Sequence, residues 1–332
     1  MNTAEDRALG ALLGGALGDA MGMPTQTLAP EAIAAAHGRV AGFVAPMPDH
    51  PVSRGLPAGS VTDDTEQALL LAQQLIANPG RFDHAAWVAA LLRWEEGVRA
   101  RGLLDLLGPS TKRALTEIAA GTPPEEAGQA GDTNGAAMRV GPVGIATPPD
   151  PPERLVARVA ETCRATHNTT LGIAAAAAVA AAVSTGIEGA DWAESAQAGI
   201  AAARLGARQG VWAAGAPVAA RIEWACGLVD GLAPPAAEAR IAGLVGTSVA
   251  AQESVPAAFA VLVAVRGDPW AAAVMGANLG GDTDTIGAIA AGIAGACAGA
   301  AVLPADRVAA LRGIDRVEVT ELARRLIDLR RS

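Results

Sequence analysis

A chain of 332 residues with a formal charge of -9 repels phosphate-rich surfaces, so neither nucleic acid nor an anionic membrane is an expected partner. Its hydrophobic residues (51%) are mainly Ala, Leu, Val and Ile, with 3% aromatic residues and no Tyr, which argues against a strand-rich fold and for helices packed through small side chains. The length allows a sizeable core without disulfides or structural metal, and Cys163, Cys226 and Cys297, isolated and without a CxxC pair, read as buried reduced thiols of a cytoplasmic protein.

In chain order, residues 5–22 read as the first helix. Gly10, Gly14, Gly18 and Gly22 recur every four positions, which lines them up on one helix face where another helix can approach closely. This spacing is not GxGxxG after a strand, so a dinucleotide site is not indicated. Glu5 and Asp6 precede the apolar stretch, unlike the basic start of a signal peptide. Residues 42–60 form a long segment with Pro46, Pro48, Pro51 and Pro57, a candidate functional loop in which Arg54 is a candidate phosphate contact. Helices are then expected over 65–77, 84–99, 111–120, 153–164, 171–184, 191–208, 238–252, 256–265, 270–276, 285–301 and 319–331, separated by Pro-, Gly- and Asp-rich gaps. Residues 142–152 are a second proline-rich gap, but the helices on both sides have the same character. One domain over 1–332 is therefore expected. Residues 286–303 carry no charge and are long enough to cross a bilayer, yet are built largely of Ala and Gly; a buried core helix is the expectation.

Two acidic clusters stand out, Thr62-Asp63-Asp64-Thr65 and Gly280-Gly281-Asp282-Thr283-Asp284-Thr285, each beside the start of an apolar helix. Asp and Thr are ordinary helix caps, but one cap needs one such residue, and burying several carboxylates together without a cation is costly. Carboxylates and hydroxyls are the hard oxygen donors that Mg²⁺, Mn²⁺ or Ca²⁺ prefer. The two clusters supply more donors than one Mg²⁺ usually takes from protein, which suits a pair of ions. The Gly280-Gly281 pair would permit the tight turn that presents Asp282 and Asp284 to one side.

Together with Gly14-Gly15-Ala16-Leu17-Gly18-Asp19-Ala20, Trp94, Leu107-Gly108-Pro109-Ser110-Thr111, Asn134-Gly135-Ala136-Ala137-Met138-Arg139 and Thr166-His167, these clusters make the chain similar to the ADP-ribosylglycohydrolases. That group includes dinitrogenase-reductase-activating glycohydrolase and the ADP-ribosyl-acceptor hydrolases. The resemblance covers most of the chain and implies a single-domain, all-α orthogonal helical bundle with a metal-lined cleft. It implies that Thr62, Asp63, Asp64, Asp282, Asp284 and Thr285 ligate two Mg²⁺ or Mn²⁺ ions beside the substrate ribose, and that cleavage occurs at the anomeric carbon. Asp63 or Asp282 would take a proton from the attacking water. Asp105 stands where some relatives carry an acidic catalytic residue. Asn134, Gly135 and His167 would contact substrate. Gln26, a further candidate substrate contact, departs from the family, which often has Glu there; an amide can position a water or substrate but cannot transfer a proton as a carboxyl does. The implied substrate is an ADP-ribosylated protein or a related ADP-ribose conjugate. Alternatives are a small N- or O-riboside, a non-catalytic protein of the same fold such as the related lens crystallin, and a two-metal phosphohydrolase.

Overall fold

The computed structural model describes residues 3–103 and 106–332. Among them there is no strand, only the isolated bridges Ser60–Arg312, Thr133–Ala250 and Thr169–Val211. The helices, in order, are α1 (Ala4–Gly22), α2 (Pro30–His37), α3 (Asp63–Ala77), α4 (His84–Ala100), α5 (Pro109–Ala119), α6 (Pro124–Ala127), α7 (Gly135–Arg139), α8 (Gly141–Ala146) and α9 (Pro152–Cys163). There follow α10 (Thr170–Ile187), α11 (Trp192–Gly206), α12 (Val218–Val229), α13 (Pro234–Arg240), α14 (Ala251–Ala264), α15 (Pro269–Gly276), α16 (Thr283–Ala298), α17 (Ala305–Ala310) and α18 (Arg316–Arg331). The all-α fold expected from composition is the observed one.

Local chemistry explains many boundaries. Thr3, Asp83, Thr169, Asp191, Asp268 and Asp315 accept a hydrogen bond from a backbone N–H in the first turn of α1, α4, α10, α11, α15 and α18. Asp191 and Glu194 form a reciprocal capping box on α11. Prolines open α2, α5, α9 and α13, where the missing N–H is not needed.

The glycine stripe does what its spacing suggested. A Cβ added to Gly10, Gly14, Gly18 or Gly22 would collide with the backbone of Gly295, Ala291, Gly287 or Asp284 respectively. Glycines thus let α1 lie backbone against backbone on α16, bringing together helices separated by most of the chain. The Thr283 hydroxyl donates to the Gly22 carbonyl at 2.9 Å and fixes the register where the two helices meet the site. α10 runs through the centre, buried along almost its whole length. It is the one described helix long and apolar enough to cross a membrane, and 89% of that stretch is buried inside the fold. The uncharged stretch around α16 is likewise a core helix.

Three expectations need correction. The helix expected over 238–252 is broken. α13 passes into a π-helical turn, Ile241–Val245, and Gly246 at φ +89° turns the chain into a short loop before α14. That loop reaches the site, as described below. The helix expected to start at Pro256 begins at Ala251 instead, with the proline inside it. The carbonyl that Pro256 cannot bond, that of Gln252, accepts from Arg221 Nε at 3.1 Å, so an arginine on α12 repairs the gap. Of the three cysteines only Cys163 is fully buried; Cys226 and Cys297 are half-buried, and none forms a disulfide. Burial pushes the Cys163 and Cys226 thiols up to about 12. The segment 42–60 carries no helix, but it is anchored: His50 and Ser53 are buried, while Arg54 is exposed.

Candidate functional site

The acidic clusters straddle the starts of α3 and α16. At a helix start the free N–H groups and the macrodipole favour negative charge, so the carboxylates sit where the backbone tolerates them best. Thr62 caps α3, and Asp63 and Asp64 follow; Asp282 caps α16, and Thr283, Asp284 and Thr285 follow. Thr62, Asp63, Asp64, Asp284 and Thr285 are buried and Asp282 is half-buried.

Asp19 completes the group, and the sequence reading did not single it out. It is fully buried on α1, in the turn that Gly18 presses against α16. Its carboxylate accepts from the Thr62 N–H at 2.9 Å, the Thr62 hydroxyl at 2.7 Å, the Thr65 N–H at 3.1 Å and the Thr65 hydroxyl at 2.5 Å. It therefore grips both threonines that flank Asp63 and Asp64. Carboxylate oxygens of Asp19, Asp64 and Asp284 all lie within 4.8 Å of one another. The signal that could have found Asp19 is its setting, an ionisable residue alone in a run of Gly, Ala and Leu.

The second cluster is positioned differently. Gly280 and Gly281 take φ of +76° and +73°, the consecutive left-handed turn that only glycine makes readily. Behind them the Thr247 carbonyl accepts from the Asp282 N–H at 2.7 Å, so the loop that interrupts the expected 238–252 helix holds the start of α16. The Asn134 amide donates to Asp282 Oδ2 and, at 2.9 Å, to Ser254 Oγ. Asn134 in turn is held by its own N–H, which donates to the Val249 carbonyl at 3.0 Å.

Electrostatically the group is strained without a cation. Burial, then the neighbouring carboxylates, push Asp63, Asp64 and Asp284 well above the usual carboxylate range. Burial raises Asp282 too, against the hydrogen bond from Asn134, and raises Asp19 to about 6 against the four bonds it accepts. Asp64 and Thr65 also line a small cavity whose other walls, including Leu12, Met138, Val179 and Ile289, are apolar, which explains the cost of ionisation there. Asp64 Oδ1 is buried with no hydrogen-bond partner. An orphaned carboxylate oxygen among crowded hard donors fits a divalent cation.

The remaining candidates are placed as follows. Gln26 is buried, and its amide donates to Ser53 Oγ at 2.9 Å; Ser53 donates on to the Met23 carbonyl at 2.8 Å, tying the long loop to the end of α1. Gly135 starts α7, where a Cβ would come within 3.0 Å of the His167 ring. His167 is fully buried, with Nδ1 on Thr166 Oγ1 at 2.8 Å and Nε2 on Thr133 Oγ1 at 3.1 Å. Trp94 donates to Glu66 in the first turn of α3 at 2.7 Å, and Thr111 is buried close to Gly135. Asp105 lies outside the described residues.

Comparison with known proteins bears on the family and the fold. The model of the family described as ADP-ribosylglycohydrolase matches residues 1–332. The uncharacterized protein YegU of Escherichia coli (strain K12) is 34% identical over 328 residues, 98% of this chain and 97% of that protein. The ADP-ribosylarginine hydrolase Tri1 of Pseudomonas putida (strain GB-1) is 39% identical over 114 residues, 33% of this chain and 27% of Tri1. A solved structure described as an ADP-ribosylglycohydrolase-related protein complex superposes with a TM-score of 0.69 at 28% identity, covering 98% of both chains.

Proposed function

The chain belongs to the ADP-ribosylglycohydrolase family, and from that premise we propose that it is a divalent-metal-dependent hydrolase of the ribosyl anomeric bond in an ADP-ribosylated protein or a related ADP-ribose conjugate. The observation that carries the reading is the convergence of Asp63, Asp64, Asp282 and Asp284 from two helix starts with Asp19 of α1, and with Asp64 Oδ1 unpartnered. Thr62, Asp63, Asp64, Asp282, Asp284 and Thr285 would hold two Mg²⁺ or Mn²⁺ ions. Asp19 would act from behind, orienting Thr62 and Thr65 through the bonds it accepts. Such cations would supply Lewis acidity toward a water and toward the ribose hydroxyls.

The protein's own groups then have distinct tasks. Asp63 and Asp282 are the candidates to take the proton of the attacking water, since each has one oxygen held by an amide, Gln67 at 3.3 Å and Asn134 respectively. The amide grip fixes the carboxylate plane and leaves the other oxygen for the proton. Asn134 and Gly135 would line the substrate side. Gln26, bound to Ser53, would hold the long loop at the site rather than transfer a proton. That lack of a titratable group at position 26 favours a second reading, in which the substrate is a small N- or O-riboside.

Mass-spectrometric product analysis with Mg²⁺ or Mn²⁺, with and without chelator, tests both. Chelator-sensitive release of ADP-ribose from an arginine- or serine-linked peptide supports the first reading. Turnover of small ribosides alone moves the protein to the second, and no turnover of either refutes both. Asp284→Ala is expected to abolish Mn²⁺ binding in a calorimetric titration while the helical circular dichroism persists; a variant that still binds Mn²⁺ overturns the ligand assignment.

A further inference from the structure

Arg139 is a fully buried guanidinium on α7, and nothing in the chemistry above employs it. It lies over the ring of Trp87, 5.4 Å from its centroid, and its hydrogen-bond partners are neutral. One nitrogen donates to Gln67 Oε1 at 2.7 Å and another to Thr166 Oγ1 at 2.5 Å. A buried charge satisfied by neutral groups costs stability, so its placement calls for a reason beyond packing.

The polarity of the two bonds supplies one. Arginine only donates. Gln67 must therefore turn its oxygen toward Arg139, which presents its NH₂ to Asp63 Oδ2 at 3.3 Å. Thr166 likewise accepts from Arg139, and the acceptor within reach of its own proton is His167 Nδ1 at 2.8 Å. An Nδ1 that accepts would leave the imidazole proton on Nε2, to be donated to Thr133 Oγ1 at 3.1 Å. Thr133 precedes Asn134, whose amide holds Asp282, and Gly135 packs on the His167 ring.

We propose that Arg139 is a positioning residue that sets the direction of two hydrogen-bonded arms, one through Gln67 to Asp63 and one through Thr166, His167 and Thr133 to the Asn134–Asp282 pair, and so fixes the two acidic helix starts relative to each other. The consequence for metal binding rests on the metal-site reading above; the direction of the arms does not.

The full chain with ¹⁵N-labelled histidine, metal-free, distinguishes the two. Long-range ¹H–¹⁵N spectra are expected to show His167 with a bare Nδ1 and a protonated Nε2. Thr166→Val, which keeps the side-chain shape, and Arg139→Lys, which keeps the charge but loses the fork, are each expected to give mixed tautomers. Thr166→Ser restores the wild-type pattern. Calorimetric titration is expected to show Mn²⁺ affinity lower by about 10- to 100-fold in Thr166→Val and Arg139→Lys. A protonated Nδ1 in the wild type overturns the proposal. So does a folded Thr166→Val that leaves both tautomer and Mn²⁺ affinity unchanged, whether or not Arg139→Lys folds. A wild type that binds no Mn²⁺ refutes the metal reading alone, while the tautomer still decides the direction of the relay.

Discussion

The two acidic helix starts look alike as strings of Asp and Thr, but they are held by different means. The start of α3 is gripped by a carboxylate on another helix, Asp19, which accepts from two N–H groups and two hydroxyls. The start of α16 is held by a backbone carbonyl from a loop, Thr247, and by a neutral amide, Asn134. One anchor is charged and buried among helices; the other is neutral and lies on loops. A charged, fully buried anchor should govern folding and metal binding together. A neutral anchor on a loop should govern metal binding more than folding.

Breaking the charged anchor gives the largest expected effect. Asp19→Ala leaves two N–H groups and two hydroxyls of Thr62 and Thr65 without their acceptor, and unsatisfied buried groups cost roughly 1–3 kcal/mol each. Urea unfolding should show a loss of about 3 kcal/mol or more, with Mn²⁺ binding lost as well. A small stability change would mean that other groups or water take over the role. Gly18→Ala tests the same anchor indirectly, because its methyl would meet the Gly287 backbone and push Asp19 away. A loss of about 1–3 kcal/mol, or more because backbone must move, is expected from the same measurement. Asn134→Ala, at the neutral anchor, should weaken Mn²⁺ binding by about tenfold while shifting the melting temperature little. Equal effects on melting at Asn134 and Asp19 would erase the distinction.

The smallest expected effect sharpens the comparison through pH. Burial raises Asp19 from 3.8 to about 6. A carboxyl raised in the folded state favours the protonated fold, so its contribution is fully present below the unfolded value and lost as pH climbs through about 6. Asp63, Asp64 and Asp284 are raised in the same direction. The metal-free chain should therefore melt at a higher temperature at pH 5 than at pH 7.5 in chelator. With Mn²⁺ present, the ordering should shrink or reverse, since the ion binds the ionised cluster. A metal-free chain that is more stable at pH 7.5 would contradict the clustering of these carboxylates.

The helical class was legible in Ala-rich composition and in glycines four apart, because both act locally along one helix. The two acidic motifs were legible because hard oxygen donors crowd within a few residues of sequence. The broken helix after α13 was not, since residues 238–252 carry a helical pattern, while the Thr247 carbonyl beyond Gly246 accepts from the distant Asp282 N–H. The roles of Asp19 and Arg139 were equally hidden, although both stand in motifs that carry the family resemblance. Each is a single charged residue whose partners, Thr62 and Thr65 for one, Gln67 and Thr166 for the other, come from distant parts of the chain. The amino-acid sequence by itself determined the helical class and which residue types can hold a cation. Only the tertiary structure decided which buried charge faces which donor, because hydrogen-bond partners separated by tens of residues are chosen by packing and not by local pattern.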